Sequence, residues 1–331
     1  MKRKGTIVFG ILLLLLIAVF FINLSLGTIS ISPLSVVATL AGYGTSQDGI
    51  VLFDFRLPRI VIALLIGIGL AISGVILQGI TNNDLADPGI LGINTGAGLF
   101  VVIFIFFTEN TVIKSFSSYL MPLAAFAGAI IAMFLIYVLA WKNGITPKRL
   151  ILVGIGINSA FSALLIIFQL KMTNQSFSEV ITWLSGDLWG TNWGFVVAIL
   201  PWIIVLGSFV WIKSRTLNVL RLGDELSVGM GIKLERERRI LLFVAAALAG
   251  ACVAFGGGLA FIGLIAPHLA KRIVGPLHQI MIPVAALIGA LILLIGDTIA
   301  RNFFGPSEIP VGLIVSIIGA PYFVYLLVKT A

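Results

Sequence analysis

Asn83-Asp84-x-x-Asp87 sets two carboxylates in a polar, turn-forming stretch between apolar segments. Asp-rich sequences of this kind hold Mg²⁺ against a diphosphate in membrane prenyltransferases. A hard cation, however, needs several carboxylate oxygens around it. Leu91 stands where a third Asp would be wanted, and no second Asp-rich loop occurs further along. Other chemistries lack their parts as well. The two histidines, His268 and His278, fall short of the three or four ligands zinc requires. The single Cys252 lies in an apolar run, which excludes an intrachain disulfide and a multi-cysteine metal site. No Gly-x-x-x-x-Gly-Lys-[Ser/Thr] phosphate loop is present, so the chain has no such ATP site of its own. No catalytic set, metal site or resident cofactor is expected.

The remaining candidates are cations. Arg56 and Arg59 flank Leu57-Pro58 and, three residues apart, share one helix face. Pro58 suits the first turn of a helix, so a helix is expected to begin there. Asp297 and Arg301 are spaced i, i+4, as an ion pair on one helix would be. Arginines at a membrane edge serve either as headgroup anchors or as receivers of an acidic partner, and composition does not separate the two.

The elements that must carry these residues are membrane-spanning helices. Hydrophobic residues make up 60% of the 331-residue chain, charged residues 10%, and the mean hydropathy is +1.17. The net charge of +8 and pI near 9.8 would suggest nucleic acid in a soluble protein; here the bases line a membrane edge and no nucleic-acid partner is expected. Apolar runs long enough to span occur at residues 5–26, 58–79, 89–107, 119–141, 149–169, 194–212, 279–297 and 309–328. The first resembles a signal peptide, but it is long enough to span and no A-x-A-like cleavage site comes after it. Residues 240–270 as one helix would reach roughly 46 Å, too long for a ~30 Å core. Gly256-Gly257-Gly258 breaks them into a hairpin, giving ten crossings.

Sixteen of the 21 Lys and Arg residues fall in five clusters: Lys2 to Lys4, Lys142 with Lys148 and Arg149, Lys213 to Arg239, Lys271 with Arg272, and Lys329. An even number of crossings separates each cluster from the next, so all five, and both termini, are expected in the cytoplasm. Arg56, Arg59, Lys114, Lys171 and Arg301 then face outward. Within the spans only His268 is ionisable short of the ends, which argues against a stand-alone secondary carrier, since such carriers place titrating groups at the midplane. Small residues at packing distance, Gly67 with Ala71, Gly69 with Ser73, and Gly154 with Gly156, fit a close-packed helical bundle. Residues 217–232 mix apolar and charged positions, cut by glycines. They read as two short amphipathic helices joined by a turn, either a membrane-surface pair or a docking site.

Several stretches together resemble the FecCD-like permease subunits of ABC importers for iron–siderophore complexes, haem and cobalamin. They are Arg56-Leu57-Pro58-Arg59, Gly74-x-x-x-Gln78, Asn83-x-Leu85-Ala86-Asp87-Pro88-Gly89-x-Leu91-Gly92, Leu222-Gly223-Asp224-Glu225, and Phe261-Ile262-Gly263-Leu264-Ile265-x-Pro267-His268. Gly296-Asp297-x-x-x-Arg301, Glu308-Ile309-Pro310-Val311-Gly312 and Gly319-Ala320-Pro321 extend the likeness over nearly the whole chain. The stretch ending Pro267-His268-Leu269-Ala270-Lys271-Arg272 is most like ferric hydroxamate permeases of Gram-positive bacteria.

The resemblance implies an all-α, ten-helix type II importer permease, residues 1–331 forming one transmembrane domain in the bacterial plasma membrane. It implies that Arg56, Arg59 and Arg301 receive glutamates of an extracytoplasmic substrate-binding lipoprotein. Asn83 and Leu85 would belong to a cytoplasmic gate. Leu222, Gly223, Asp224 and Glu225, within the coupling segment 217–232, would insert into one of two ATPase subunits. A second permease chain, identical or related, would enclose the path, and the cargo would be a ferric siderophore such as a hydroxamate, with haem or cobalamin as alternatives. Three positions depart from the family pattern: Asp84 replaces a proline, Ala260 a glycine, and Lys271 an arginine.

Overall fold

The helix that starts beside Arg56 is the axis of the molecule. In the computed structural model, which describes residues 2–27, 29–109, 117–142, 144–303 and 308–330, every regular element is helical and no strand occurs among the described residues. In chain order these are α1 (Lys2–Ser25), α2 (Pro33–Leu40), α3 (Ser46–Ile50), α4 (Leu57–Thr81), α5 (Ile93–Thr108), α6 (Ser117–Ala140), α7 (Pro147–Gln169) and α8 (Asn174–Leu184). The rest are α9 (Trp193–Ile212), α10 (Ser214–Leu220), α11 (Asp224–Gly229), α12 (Leu234–Gly256), α13 (Ile262–Val274), α14 (His278–Asn302) and α15 (Val311–Thr330). Among the described residues, eight helical stretches are long and apolar enough to cross a membrane; α5 is shorter, and α13, at 13 residues, rises only about 20 Å. Lys114, expected among the outward bases, lies outside the described residues.

α4 is buried along almost its whole length, with α14, α12, α13 and α9 packed around it. Its small residues make this possible. Gly67 lies against the backbone of Gly289 on α14, where an added methyl would stand 2.5 Å from the Gly289 carbonyl oxygen. Ala71 packs one turn further on against the same glycine. Gly69 and Ser73 serve α12 instead: Gly69 faces Cys252, and the Ser73 hydroxyl donates to the Ala245 carbonyl at 2.8 Å. The two small-residue pairs therefore receive two different neighbours, as close backbone approach in lipid requires. Gly154 packs on Leu91, but Gly156 faces open space.

Helix α4 begins at Leu57 with Pro58 in its first turn, as expected, but the chain before it is already helical: one stretch runs from Ser46 to Thr81, with a wide π turn at Val51–Arg56 near its start. Proline inside a helix lacks an N–H and its ring crowds the carbonyl four residues back. The π turn relieves this, and the Leu57 N–H reaches back five residues to the Leu52 carbonyl.

The hairpin expected at 240–270 is present, with wider limits. α12 starts at Leu234, taking in the charged Glu235 to Arg239, and the chain breaks at Gly257 and Gly258. Gly257 has φ +68°, and the Gly258 N–H donates to the Trp183 carbonyl at 3.1 Å. Non-helical backbone inside such a bundle needs its polar groups satisfied. Asn94 Nδ2 accordingly donates to the Leu259 carbonyl at 2.8 Å, and Gln78 Nε2 to the Leu264 carbonyl at 3.2 Å.

Gly67→Leu should force α4 and α14 apart and cost about 1–3 kcal/mol or more of stability, whereas Gly156→Ala should be neutral. Thermal unfolding of the purified variants in detergent checks both outcomes.

Candidate functional site

Charged side chains gather at the two ends of α4. At its start, α1, the π turn and α14 converge. Arg56 donates to the carbonyls of Leu24 and Ile29, beyond the end of α1, and only 4% of the residue is exposed. Arg59 Nε pairs with Asp297 Oδ1 at 2.9 Å, and its Nη1 with Glu308 Oε2 at 2.7 Å. Arg301 Nε lies 3.4 Å from the other Asp297 oxygen, so the expected i, i+4 pair exists but shares its carboxylate with Arg59. Arg301 also donates to the Asn23 side chain, and Asn23 Nδ2 donates to Thr298 Oγ1 at 2.8 Å. Two cations and two carboxylates meet in this network; Arg56, beside it, donates to backbone carbonyls and shares its cavity with Asp54.

Arg56, Arg59 and Arg301 are thus brought together, but as largely buried groups engaged within the chain rather than as free surface charges. They meet a cavity of about 590 Å³ also lined by Glu308, Trp189 and Asn192. The sequence pattern flags the arginines; Glu308 lies inside a family-like motif with no role attached, and nothing in its spacing joins it to Arg59.

The opposite end of α4 is built differently. Asn82 ends the helix in the left-handed region (φ +50°), and residues 83–92 turn through local hydrogen bonds. Asn83 Oδ1 accepts the Leu85 N–H at 2.9 Å, and Asp87 Oδ1 accepts the Gly89 N–H at 2.7 Å. Leu85 packs against Leu264, Ile265 and Leu326, joining the loop to α13 and α15. Burial pushes the Asp87 carboxyl up to about 6 against the two loop N–H groups that favour its charged form. Asp84 points elsewhere: both its oxygens contact Lys271 Nζ on α13, at 2.5 and 2.6 Å. The two carboxylates of the Asp-rich stretch are therefore separately committed. No group of three or more His, Cys, Asp or Glu suited to a metal occurs among the described residues. His268 is buried beside the Tyr322 ring, and His278 Nδ1 lies 2.7 Å from Asn218 Oδ1.

Beneath this loop sit α10 and α11. Asn82 Nδ2 reaches the Leu220 carbonyl at 3.4 Å. Asn218 accepts the His278 N–H at 2.9 Å and donates to Gln279 Oε1 at 2.8 Å, tying α10 to the start of α14. Gly223, with φ +102°, makes the corner between α10 and α11, a conformation that side chains disfavour. Asp224 Oδ1 pairs with Arg238 at 2.5 Å, and Arg238 also donates to the Ile145 carbonyl at 3.0 Å. Leu222, Glu225, Leu226, Val228 and Met230 are left exposed around them. Asn218, Arg221, Arg238 and Gln279 carry no signal in the sequence, because their importance lies in contacts between distant segments.

A family model described as the FecCD transport family matches residues 14–329. The chain is 54% identical, over 99% of its length and 98% of the relative's, to the iron(3+)-hydroxamate import system permease protein FhuG of Bacillus subtilis (strain 168). It is 43% identical, over 98% of its length and 96% of the relative's, to the Fe(3+)-citrate import system permease protein YfmE of the same organism. Among solved structures, a metal-chelate type ABC transporter in an inward-facing conformation overlays with a TM-score of 0.85 at 30% identity, covering 98% of this chain and 99% of that one.

Asp297→Asn should leave Arg59 and Arg301 facing each other without their shared counter-charge and cost about 3–5 kcal/mol. Glu308→Gln, at the open side of the network, should cost far less; thermal stability of both variants tests the ranking. The raised Asp87 carboxyl makes a second expectation. Because the folded chain holds this proton up to about pH 6 while the unfolded chain releases it near 4, stability from this group is present at low pH and lost as pH rises through that window. Asp87→Asn should remove that part of the pH dependence in unfolding measured from pH 4.5 to 7.5.

Proposed function

The chain belongs to the FecCD transport family, and we propose that it is the permease subunit of an ATP-binding cassette importer that carries a ferric siderophore, of hydroxamate type, inward across the bacterial plasma membrane. It is a transport subunit and not an enzyme; ATP is hydrolysed on separate ATPase chains. The near-full-length identity to a hydroxamate permease supports the cargo class. The observation that carries the subunit reading is the α11 segment: a six-residue helix with apolar Leu226 and Val228, flanked by Leu222 and Met230, all four uncovered at a charged end of the bundle. Such a protrusion needs a groove on a partner.

In this reading the chain crosses the membrane ten times, the eight long helices being joined by α5 and by α13 with its extended lead-in, and both termini are cytoplasmic. The α4 start faces outward, and the cavity at Arg56, Arg59 and Arg301 receives acidic side chains of a substrate-binding lipoprotein. Arg59 has donors beyond the two its internal carboxylates occupy, so an incoming glutamate shares it with Glu308. The other end faces the cytoplasm. There Asn83 and Leu85 form the gate, and residues 217–232, centred on Leu222, Gly223, Asp224 and Glu225, engage one of two ATPase subunits. A second permease chain covers the apolar faces of helices such as α7 and α15.

Replacing Leu226 and Met230 with Ser should reduce substrate-stimulated ATP hydrolysis by the assembled complex about tenfold or more while leaving lipoprotein binding unchanged. For topology, Ser46→Cys in a Cys252→Ala background should react with impermeant thiol reagents from outside, and Val228→Cys only after permeabilisation. Ser227 is buried and its hydroxyl bonded within α10–α11, so it is a poor probe. Vesicles carrying the complete complex should accumulate 55Fe-ferrichrome with ATP. Accumulation of haem or cobalamin instead would reassign the cargo, and ATP hydrolysis by the isolated chain would overturn the subunit reading.

A further inference from the structure

Apart from the packing of Leu85 on the apolar cluster of Leu264, Ile265 and Leu326, the loop that bears Asn83 and Leu85 is held to the rest of the chain by few hydrogen bonds. Asn82 reaches Leu220 at 3.4 Å, and Gln78 reaches the Ala86 carbonyl at 3.5 Å, both at the weak limit. The bonds of Asn83 and Asp87 close turns within the loop itself. Against these, Asp84 meets Lys271 through both carboxylate oxygens at 2.5 and 2.6 Å, across 187 residues of sequence. Charge-assisted bonds of this length are the strong ones. The two side chains are only about a quarter to a third exposed, and they line a cavity of about 350 Å³ with Gln78, Asn82, Asn83, Leu85 and Arg221. Among the described residues Asp84 is the only carboxylate lining that cavity, facing two cations, Lys271 and Arg221. Removing its charge leaves those cations uncompensated beside each other.

The neighbouring contacts give this pair a mechanical setting. α10 is bonded to the α13–α14 corner through Arg221 to the Pro276 carbonyl, and through Asn218 to His278 and Gln279. A displacement of α10 therefore acts on the end of α13. Leu85, which must move if the gate is to open, sits on the loop and not on that corner.

We propose that Asp84 and Lys271 are positioning residues that make the 83–86 loop and α13 one body, so that movement delivered by α10 at the α13–α14 corner reaches Leu85. This rests on the gate assignment under the proposed function.

The test uses the complete transporter in inside-out vesicles, with Ala86→Cys in a Cys252→Ala background. Ala86 is the buried residue of the loop, so labelling of a cysteine there by a small thiol reagent reports loop release without substrate or ATP. Asp84→Asn and Lys271→Gln should each label about two- to fivefold faster, the range of a partly exposed ion pair. The double variant Asp84→Asn/Lys271→Gln should be no faster than either single one, because the pair acts as a unit. The exchange Asp84→Lys/Lys271→Asp should return the rate toward the parent, and high KCl should accelerate only chains with the pair intact. In parallel, ferrichrome taken up per ATP should fall in the single variants and recover in the exchange. Parental labelling rates in both single variants, or additive effects in the double variant, overturn the proposal. A parent complex that labels as described but imports no ferrichrome leaves the clasp standing and removes the cargo assignment instead.

Discussion

Two helix backbones touch at the centre of this molecule, Gly67 of α4 against Gly289 of α14, and everything else is arranged around that contact. In lipid, apolar side chains gain nothing by leaving one apolar surface for another, so association depends on closeness of approach. A side chain on either glycine would hold the axes apart. With α14 drawn in, its far end brings Asp297 to Arg59, and its near end brings His278 and Gln279 to α10. One crossing thus sets the spacing of charged groups at both ends of the bundle.

The two ends spend their charges differently. At the α4 start the ions are largely buried, and their partners come from α1, α4, α14 and the segment after it. Such a network is costly to break and resists relative motion of those helices. At the other end each ion pair has at least one partly solvated member and ties a loop or helix end to a neighbouring helix: Asp84 to Lys271, Asp224 to Arg238, Lys213 to Glu237. Partly solvated pairs are weak enough to be exchanged during a transport cycle. A stiff end and an adjustable end fit a permease that is pushed from one side only.

Much of this could be read from the residues, for physical reasons that also mark where reading stops. Apolar length identifies spans, and Gly257-Gly258 betrays a break, because both are local properties of a stretch of chain. The small-residue pairs at 67/71 and 69/73 announce close contacts but not the partners, which turned out to be α14 and α12. Arg59 was legible as a cation at a helix start; that it shares Asp297 with Arg301 depends on an approach of helices 238 residues apart. Asp84 and Lys271 each stood out singly as unusual. Their union is tertiary, and no spacing rule connects them. Pro58 marks the start of α4 correctly, but it does not reveal that the chain before it is helical too, because a widened turn that accommodates the proline has no signature in local propensity.

The widened turn at Val51–Arg56 has a consequence for how the outer surface of the chain can change. One additional residue in a helical turn rotates the chain before it by about 100° relative to the helix beyond. α3 and the residues before the turn are therefore set in angular phase independently of α4, whose buried faces are fixed by four neighbouring helices. Adding or removing a residue there re-aims α3, which carries Asp48, without turning Gly67 or Gly74 out of their seats. The turn works as a phase coupler. It lets the face that α3 presents be re-aimed while the buried core of α4 keeps its register.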